Sequence, residues 1–139
     1  MRTVCLFMLA FVAIAFTAQP ATAVLQFYNV FRDEYVNNHP DAEFAALVKK
    51  SANRCFVCHK GKKRTHRNEF GAHMDDLLNW KEDAKNKEKI LAALQKVLAM
   101  PADPDNPNGE TYLDRWNASQ FPAGELEELK QEPEGEAAE

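Results

Sequence analysis

The chemistry in this chain is concentrated at Cys55-Phe56-Val57-Cys58-His59. Two thiols three positions apart, with an imidazole directly after them, have the C-x-x-C-H spacing of c-type haem attachment. On one helical turn, positions i, i+3 and i+4 share a face. Cys55 and Cys58 can then form thioethers to the two vinyl groups of a haem, while His59 presents its imidazole to the iron as the proximal ligand. One covalent haem c is therefore the expected cofactor. A ligating histidine usually donates its second ring N–H to a carbonyl or carboxylate, a partner that spacing alone does not name.

Two other chemistries use the same residue types. Cys55, Cys58, His66 and His73 form a C-x2-C-x7-H-x6-H series, looser than the usual zinc-finger spacings. A redox-active C-x-x-C requires a βαβ context, and the sequence shows no strand pattern. Haem attachment is the expectation that remains.

The sixth iron position separates an electron carrier from a gas-binding haem. The available residues are His39, His66, His73, Met74 and Met100. His73 lies on the apolar stripe of a helix near the haem motif, where a buried imidazole beside iron would have a use. Met100 stands between a strongly patterned helix and Pro101, a placement suited to a ligand held on a loop. Met74 follows His73 on the same helix and reads equally well as core. The distal candidates are His73, Met100 and Met74, in that order. His66 falls in a basic loop, and His39 in a turn before Pro40. Axial-ligand identity sets haem potential over roughly 0.8 V, and methionine raises it.

The elements that must position these residues read as helices. Phe27, Phe31 and Tyr35 recur every four residues, giving one aromatic helical face that Asn37-Asn38-His39-Pro40 ends. Asp41 is an N-cap for a helix carrying Phe44, Leu47 and Val48 toward Cys55. Lys60 to Arg67 reads as polar loop. Asn68 caps a third helix, with Phe70, His73, Met74, Leu77 and Leu78 as its apolar stripe. Ile90, Leu91, Leu94, Val97 and Leu98 mark a fourth. After a Pro- and Asn-rich loop, a short helix carries Tyr112, Leu113 and Trp116. The expected fold is all-α, four to five short helices around haem, with Phe44, Phe70, Trp80, Tyr112 and Trp116 packing on the porphyrin.

Of the 139 residues, the first 23 read as a secretory signal. Arg2 is the positive start, Val4 to Ala18 is almost wholly apolar, and Ala21-Thr22-Ala23 is a small-residue cleavage site. The apolar run is shorter than the ~20 residues that span a bilayer, so no stable membrane span is expected after cleavage. Cleavage leaves two cysteines, both used by haem, which suits an oxidising, periplasmic or otherwise exported location. The expected divisions are 1–23 signal, 24–40 aromatic segment, 41–122 haem domain and 123–139 disordered acidic tail. Net charge is −4 and unevenly placed. Lys49 to Arg67 holds eight cations and no acid, whereas from Glu125 onward Lys130 is the lone cation among seven glutamates. The basic block around the motif can steer acidic redox partner proteins or offset haem propionates. Nucleic-acid binding is not expected of an exported acidic chain.

A helix leading into Cys55-x-x-Cys58-His59, then further helices, then Met100-Pro101, resembles a class I cytochrome c over roughly residues 41–116. The resemblance carries Cys55, Cys58 and His59 onto the thioether and proximal positions, and Met100 onto the distal methionine. It departs from that family in lacking a proline after the motif, whose carbonyl would accept from the proximal histidine, and a long C-terminal helix. Phe31-x-x-x-Tyr35, Gly61-Lys62-Lys63 after the motif and Arg67-Asn68-x-Phe70-Gly71 also resemble small mono-haem periplasmic cytochromes of planctomycete type. Both resemblances imply a one-electron carrier between redox proteins. The alternative is a haem-based sensor or binder of a small gas such as NO or CO. No carboxylate pair or nucleophile–base pair is present, so the chain is not expected to be an enzyme.

Overall fold

A computed structural model describes residues 22–133. The expected signal peptide lies outside the described residues apart from its last two positions, and so do residues 134–139. Among the described residues there are six α-helices and one two-stranded hairpin, so the protein is mostly helical. No helix among them is long and apolar enough to cross a membrane.

Helix α1 (Thr22–Phe31) runs into a π-helical turn, Arg32–Val36. The Asn37 N–H reaches back five residues to the Arg32 carbonyl at 2.8 Å. This wider turn brings residues five apart toward one side, and Phe31 and Val36 are both fully buried. Tyr35 stacks on Phe31 with ring centroids 5.3 Å apart. The aromatic segment is thus part of the core, not a separate preface to a domain beginning at residue 41.

Helix α2 (Ala42–Lys49) starts where expected: Asp41 accepts hydrogen bonds from the Glu43 and Phe44 N–H groups, both at 3.0 Å. The motif follows on a 3₁₀ turn, Arg54–Val57. A tight hairpin comes next, with β1 (His59–Lys60) antiparallel to β2 (His66–Arg67) and His59 paired to Arg67. The sequence predicts only polar loop here, because two residues per strand are too few for alternation to show. Gly61 enters the turn at φ +79°, a left-handed conformation open to glycine.

Helix α3 (Glu69–Leu77) is capped by Asn68, α4 (Lys87–Leu98) by Asn86, and α5 (Tyr112–Asn117) by a Thr111/Asp114 capping box. Trp116 sits at the centre of the core, edge-on to Phe31 at 4.9 Å and to Phe44 at 5.1 Å. Phe70 packs on Tyr112 at 5.5 Å and on Phe31 at 6.2 Å. Burying each such ring stabilises the fold by about 1.5–3 kcal/mol.

The segment expected as an acidic tail from residue 123 is described through Pro133. Its helix α6 (Leu126–Leu129) buries Leu129. The Leu129 carbonyl accepts from the Gly61 N–H at 2.8 Å, and Glu132 Oε1 accepts from the Lys63 N–H at 3.2 Å. Two leucines and these backbone bonds offset the charge that makes the segment read as solvated.

Candidate functional site

The motif turn is 3₁₀ rather than α. The Cys58 N–H donates to the Cys55 carbonyl at 3.2 Å, closing an i to i+3 ring. In a 3₁₀ turn, residues three apart eclipse one another. Cys55 and Cys58 therefore share one side, and both are free thiols.

Asn68 and Gly71 hold this turn in place. The Asn68 side-chain amide donates to the carbonyls of Phe56, Val57 and His59 at 3.0, 3.2 and 3.3 Å, and its oxygen accepts from the Gly71 N–H at 2.8 Å. One buried side chain thus caps α3 and ties the motif to it. At Gly71 the α3 backbone lies directly on the motif, where a Cβ would stand 2.0 Å from the Cys58 carbonyl oxygen. These contacts give a physical meaning to Arg67-Asn68-x-Phe70-Gly71.

His59 is fixed at one nitrogen and directed with the other. Its Nδ1 lies 3.2 Å from the His66 carbonyl, across the hairpin, and donates to it. The hairpin thus supplies a backbone acceptor for the His59 ring N–H. Nε2 then carries the lone pair and accepts from Arg67 Nη1 at 2.8 Å. Arg67 is itself held by Asp75, Nε to Oδ2 at 2.7 Å. Burial, and then the Arg67 charge, hold the imidazole below the usual histidine pKa, so it is neutral and able to ligate at neutral pH. Burial pushes the Cys58 thiol up to about 12.

Cys55, Cys58 and His59 all open on one cavity of about 590 Å³, within the range of cofactor sites. Its apolar wall is built by Leu25, Phe27, Phe31, Val57, Met74 and Leu94, from α1, the motif turn, α3 and α4. Leu25 is one of two large apolar side chains left exposed among the described residues, at 41%. Polar groups converge on the same space: Tyr28, Arg54 and Arg64 beside the thiols, and Arg67 with Asp75 at the imidazole. Tyr28 Oη and the Nε atoms of Arg54 and Arg64 are buried without a hydrogen-bond partner. Two eclipsed thiols, an oriented imidazole, an apolar wall and spare donors fit a covalent haem. The fit has one condition: Arg67 must leave Nε2 for a metal to take its place.

The three distal candidates separate. Met74 is buried and lines the cavity, whereas His73 and Met100 do not. His73 faces Tyr112, with ring centroids 6.1 Å apart. Met100 packs partly buried against the core, its carbonyl accepting from the Tyr112 N–H at 3.1 Å. His39 is half-buried, and its Nε2 contacts the Trp116 carbonyl at 2.9 Å. Among the described residues, no group of three or more histidine, cysteine or acidic side chains is placed to hold a metal ion by itself. Cys55, Cys58, His66 and His73 thus form no zinc cluster.

The aromatic residues expected on the porphyrin lie elsewhere. Phe44, Phe70, Tyr112 and Trp116 form the core, and Trp80 is 41% exposed with Lys81 Nζ 4.9 Å from its ring centroid. The cavity takes its rings from α1, where the four-residue spacing had already marked Phe27 and Phe31. The roles of Tyr28, Arg54, Arg64 and Arg67 carried no signal of spacing, because they depend on the hairpin and on the approach of α1. No protein-family model matches the chain, and no curated protein or solved structure matches it significantly.

Proposed function

We propose that this protein is an exported mono-haem c-type cytochrome that carries single electrons between redox proteins. The observation that carries the reading is that Cys55, Cys58 and His59 line one cavity with an apolar wall. Haem c, when bound, supplies a one-electron iron couple. Cys55 and Cys58 hold it through thioethers, and His59 is the proximal ligand, oriented by the His66 carbonyl. Met74 would be the candidate second iron ligand, because it lines the cavity and His73 and Met100 do not. Leu25, Phe27, Phe31, Val57 and Leu94 exclude water and lower the local dielectric. Lys49, Lys50, Lys62 and Lys63 are exposed on the basic block and favour an acidic partner surface.

The test is the mass and spectrum of the full chain, produced in a host that matures c-type cytochromes. One added porphyrin that resists acid-acetone extraction is expected, and an unmodified mass overturns the reading. A low-spin ferrous spectrum insensitive to CO is expected of the carrier, with CO binding appearing in Met74→Ala. A native ferrous form that takes CO at once replaces the carrier with the gas binder.

A further inference from the structure

The hairpin turn beside the motif already carries a ligand, and the chain itself supplies it. The Arg64 N–H donates to the Gly61 carbonyl at 3.0 Å, closing the turn over Lys62 and Lys63. Gly61 and Arg64 bracket it with left-handed backbone, φ +79° and +58°. Turns of this kind aim backbone N–H groups into a concavity that suits an anion. Here the Gly61 N–H donates to the Leu129 carbonyl at 2.8 Å, and the Lys63 N–H to Glu132 Oε1 at 3.2 Å. Glu132 Oε2 lies over the turn as well, 2.5 Å from where a Cβ at Gly61 would stand. Gly61 is buried, whereas Lys62 and Lys63 on the same turn stay exposed.

The covering segment is held at few points. Helix α6 has four residues, no side-chain cap from Glu125, and Leu129 as its buried residue. Glu132 is itself exposed. Its carboxylate meets the turn backbone, and no ion pair among the described residues joins Lys62 or Lys63 to an acid. The segment belongs to the run of seven glutamates from Glu125 onward, and the turn to the run of eight cations from Lys49 to Arg67. The two most oppositely charged stretches of the sequence therefore meet. Exposed polar contacts of this sort are individually weak in water and exchange readily.

We infer that the turn Gly61–Arg64 is a docking site for an acidic linear segment of a partner protein, occupied in cis by residues 126–133, so that a partner must displace Glu132 to reach it. The bound segment shows what fits: a leucine, two polar residues, a glutamate and a proline, Leu129 to Pro133. A tethered competitor acts at an effective concentration on the order of millimolar. An incoming segment therefore needs contacts beyond those of Glu132, and the ammonium groups of Lys62 and Lys63 offer them. That such docking serves electron transfer rests on the proposed function; the docking itself rests on the turn.

The probe is a fluorescein-labelled peptide with the sequence of residues 125–139, and its control carries glutamine in place of every glutamate. Fluorescence anisotropy at low salt reads binding to the full-length protein as wild type, Glu132→Ala and Glu127→Ala. Glu127 pairs with Lys130, so its variant removes the same charge without freeing the turn. Near-UV circular dichroism checks that each variant is folded. Glu132→Ala is expected to bind the acidic peptide about tenfold more tightly than the other two proteins, as loss of a charged intramolecular competitor implies. Equal affinity in all three proteins, or equal binding of the two peptides, overturns the docking site. The amide NMR signals of Gly61 and Lys63 locate the peptide: both should move when it binds to Glu132→Ala, and binding that moves neither also overturns the site. Neither readout uses haem, so an unmodified mass ends the proposed function and leaves this result standing.

Discussion

Asn68 is the residue on which the geometry of the Cys55–His59 motif depends most directly, and two substitutions separate its roles. It is 1% exposed. Asn68→Ala removes the N-cap of α3, which costs about 1 kcal/mol. It also strips the amide that serves three motif carbonyls. Two N–H groups cannot fully bond three acceptors at once, so the net loss there is about two hydrogen bonds, or ~2 kcal/mol. The sum is about 3 kcal/mol. Asn68→Asp keeps the cap, and its negative charge at a helix N-terminus is favourable by about 0.3–1 kcal/mol. It also points a carboxylate oxygen at the carbonyls of Phe56, Val57 and His59, now 3.0–3.3 Å from the amide nitrogen. If Asn68 ties the motif to α3, the aspartate variant is at least as unstable as the alanine variant. Urea unfolding at pH 7 measures both. A loss of about 3 kcal/mol in unfolding free energy is expected for each. An Asn68→Asp protein as stable as wild type refutes the clamp and leaves a simple cap.

Three further outcomes follow from contacts described above. Gly71→Ala is expected to destabilise by about 1–3 kcal/mol through overpacking on the Cys58 carbonyl, against at most ~1 kcal/mol of helix-propensity gain; a stabilised variant in the same urea assay shows that α3 does not lie on the motif. Arg67→Ala frees the His59 lone pair of its guanidinium partner, so the haem-free chain should bind ferric haem about tenfold more tightly; equal affinity in a spectrophotometric titration refutes the displacement. Asp41, Asp83 and Asp114 have pKa values held below that of free aspartate, by the Phe44 N–H, the Lys89 ammonium and the Thr111 hydroxyl respectively. The unfolded chain therefore takes up protons first, and stability is full above about pH 3.9 and falls as pH drops below it. Urea midpoints measured from pH 6 to pH 3 should show that decline flattened in Asp41→Asn.

The helices were legible where apolar periodicity and capping agreed. Asp41, Asn68 and the Ile90–Leu98 stripe each mark an element that the structure contains. The hairpin was not, because β1 and β2 have two residues each and are defined by pairing rather than by composition. That gap hid the His66 carbonyl as the partner of His59 and the placement of Arg67 on its ring. The order through Pro133 was hidden for a different reason: average charge between Glu125 and Glu132 outweighs Leu126 and Leu129, although two leucines anchor a single turn. The sixth-ligand candidates were ranked by distance along the chain. Neighbours on a helix differ by about 100° in direction, and here it is Met74, not His73, that faces the cavity.

The clasp between the hairpin loop and the last described residues imposes an order of events. Lys63 and Glu132 are 69 residues apart. While the polypeptide emerges from a ribosome or a translocation channel, Cys55, Cys58 and His59 are already exposed before Leu129 and Glu132 exist to close over Gly61 and Lys63. The thiols therefore have an interval in which their flanking loop is unlocked, and under the proposed function a group bonded to them would meet them most easily in that interval. Locking comes last, so the same contacts that make the finished loop rigid do not obstruct its loading.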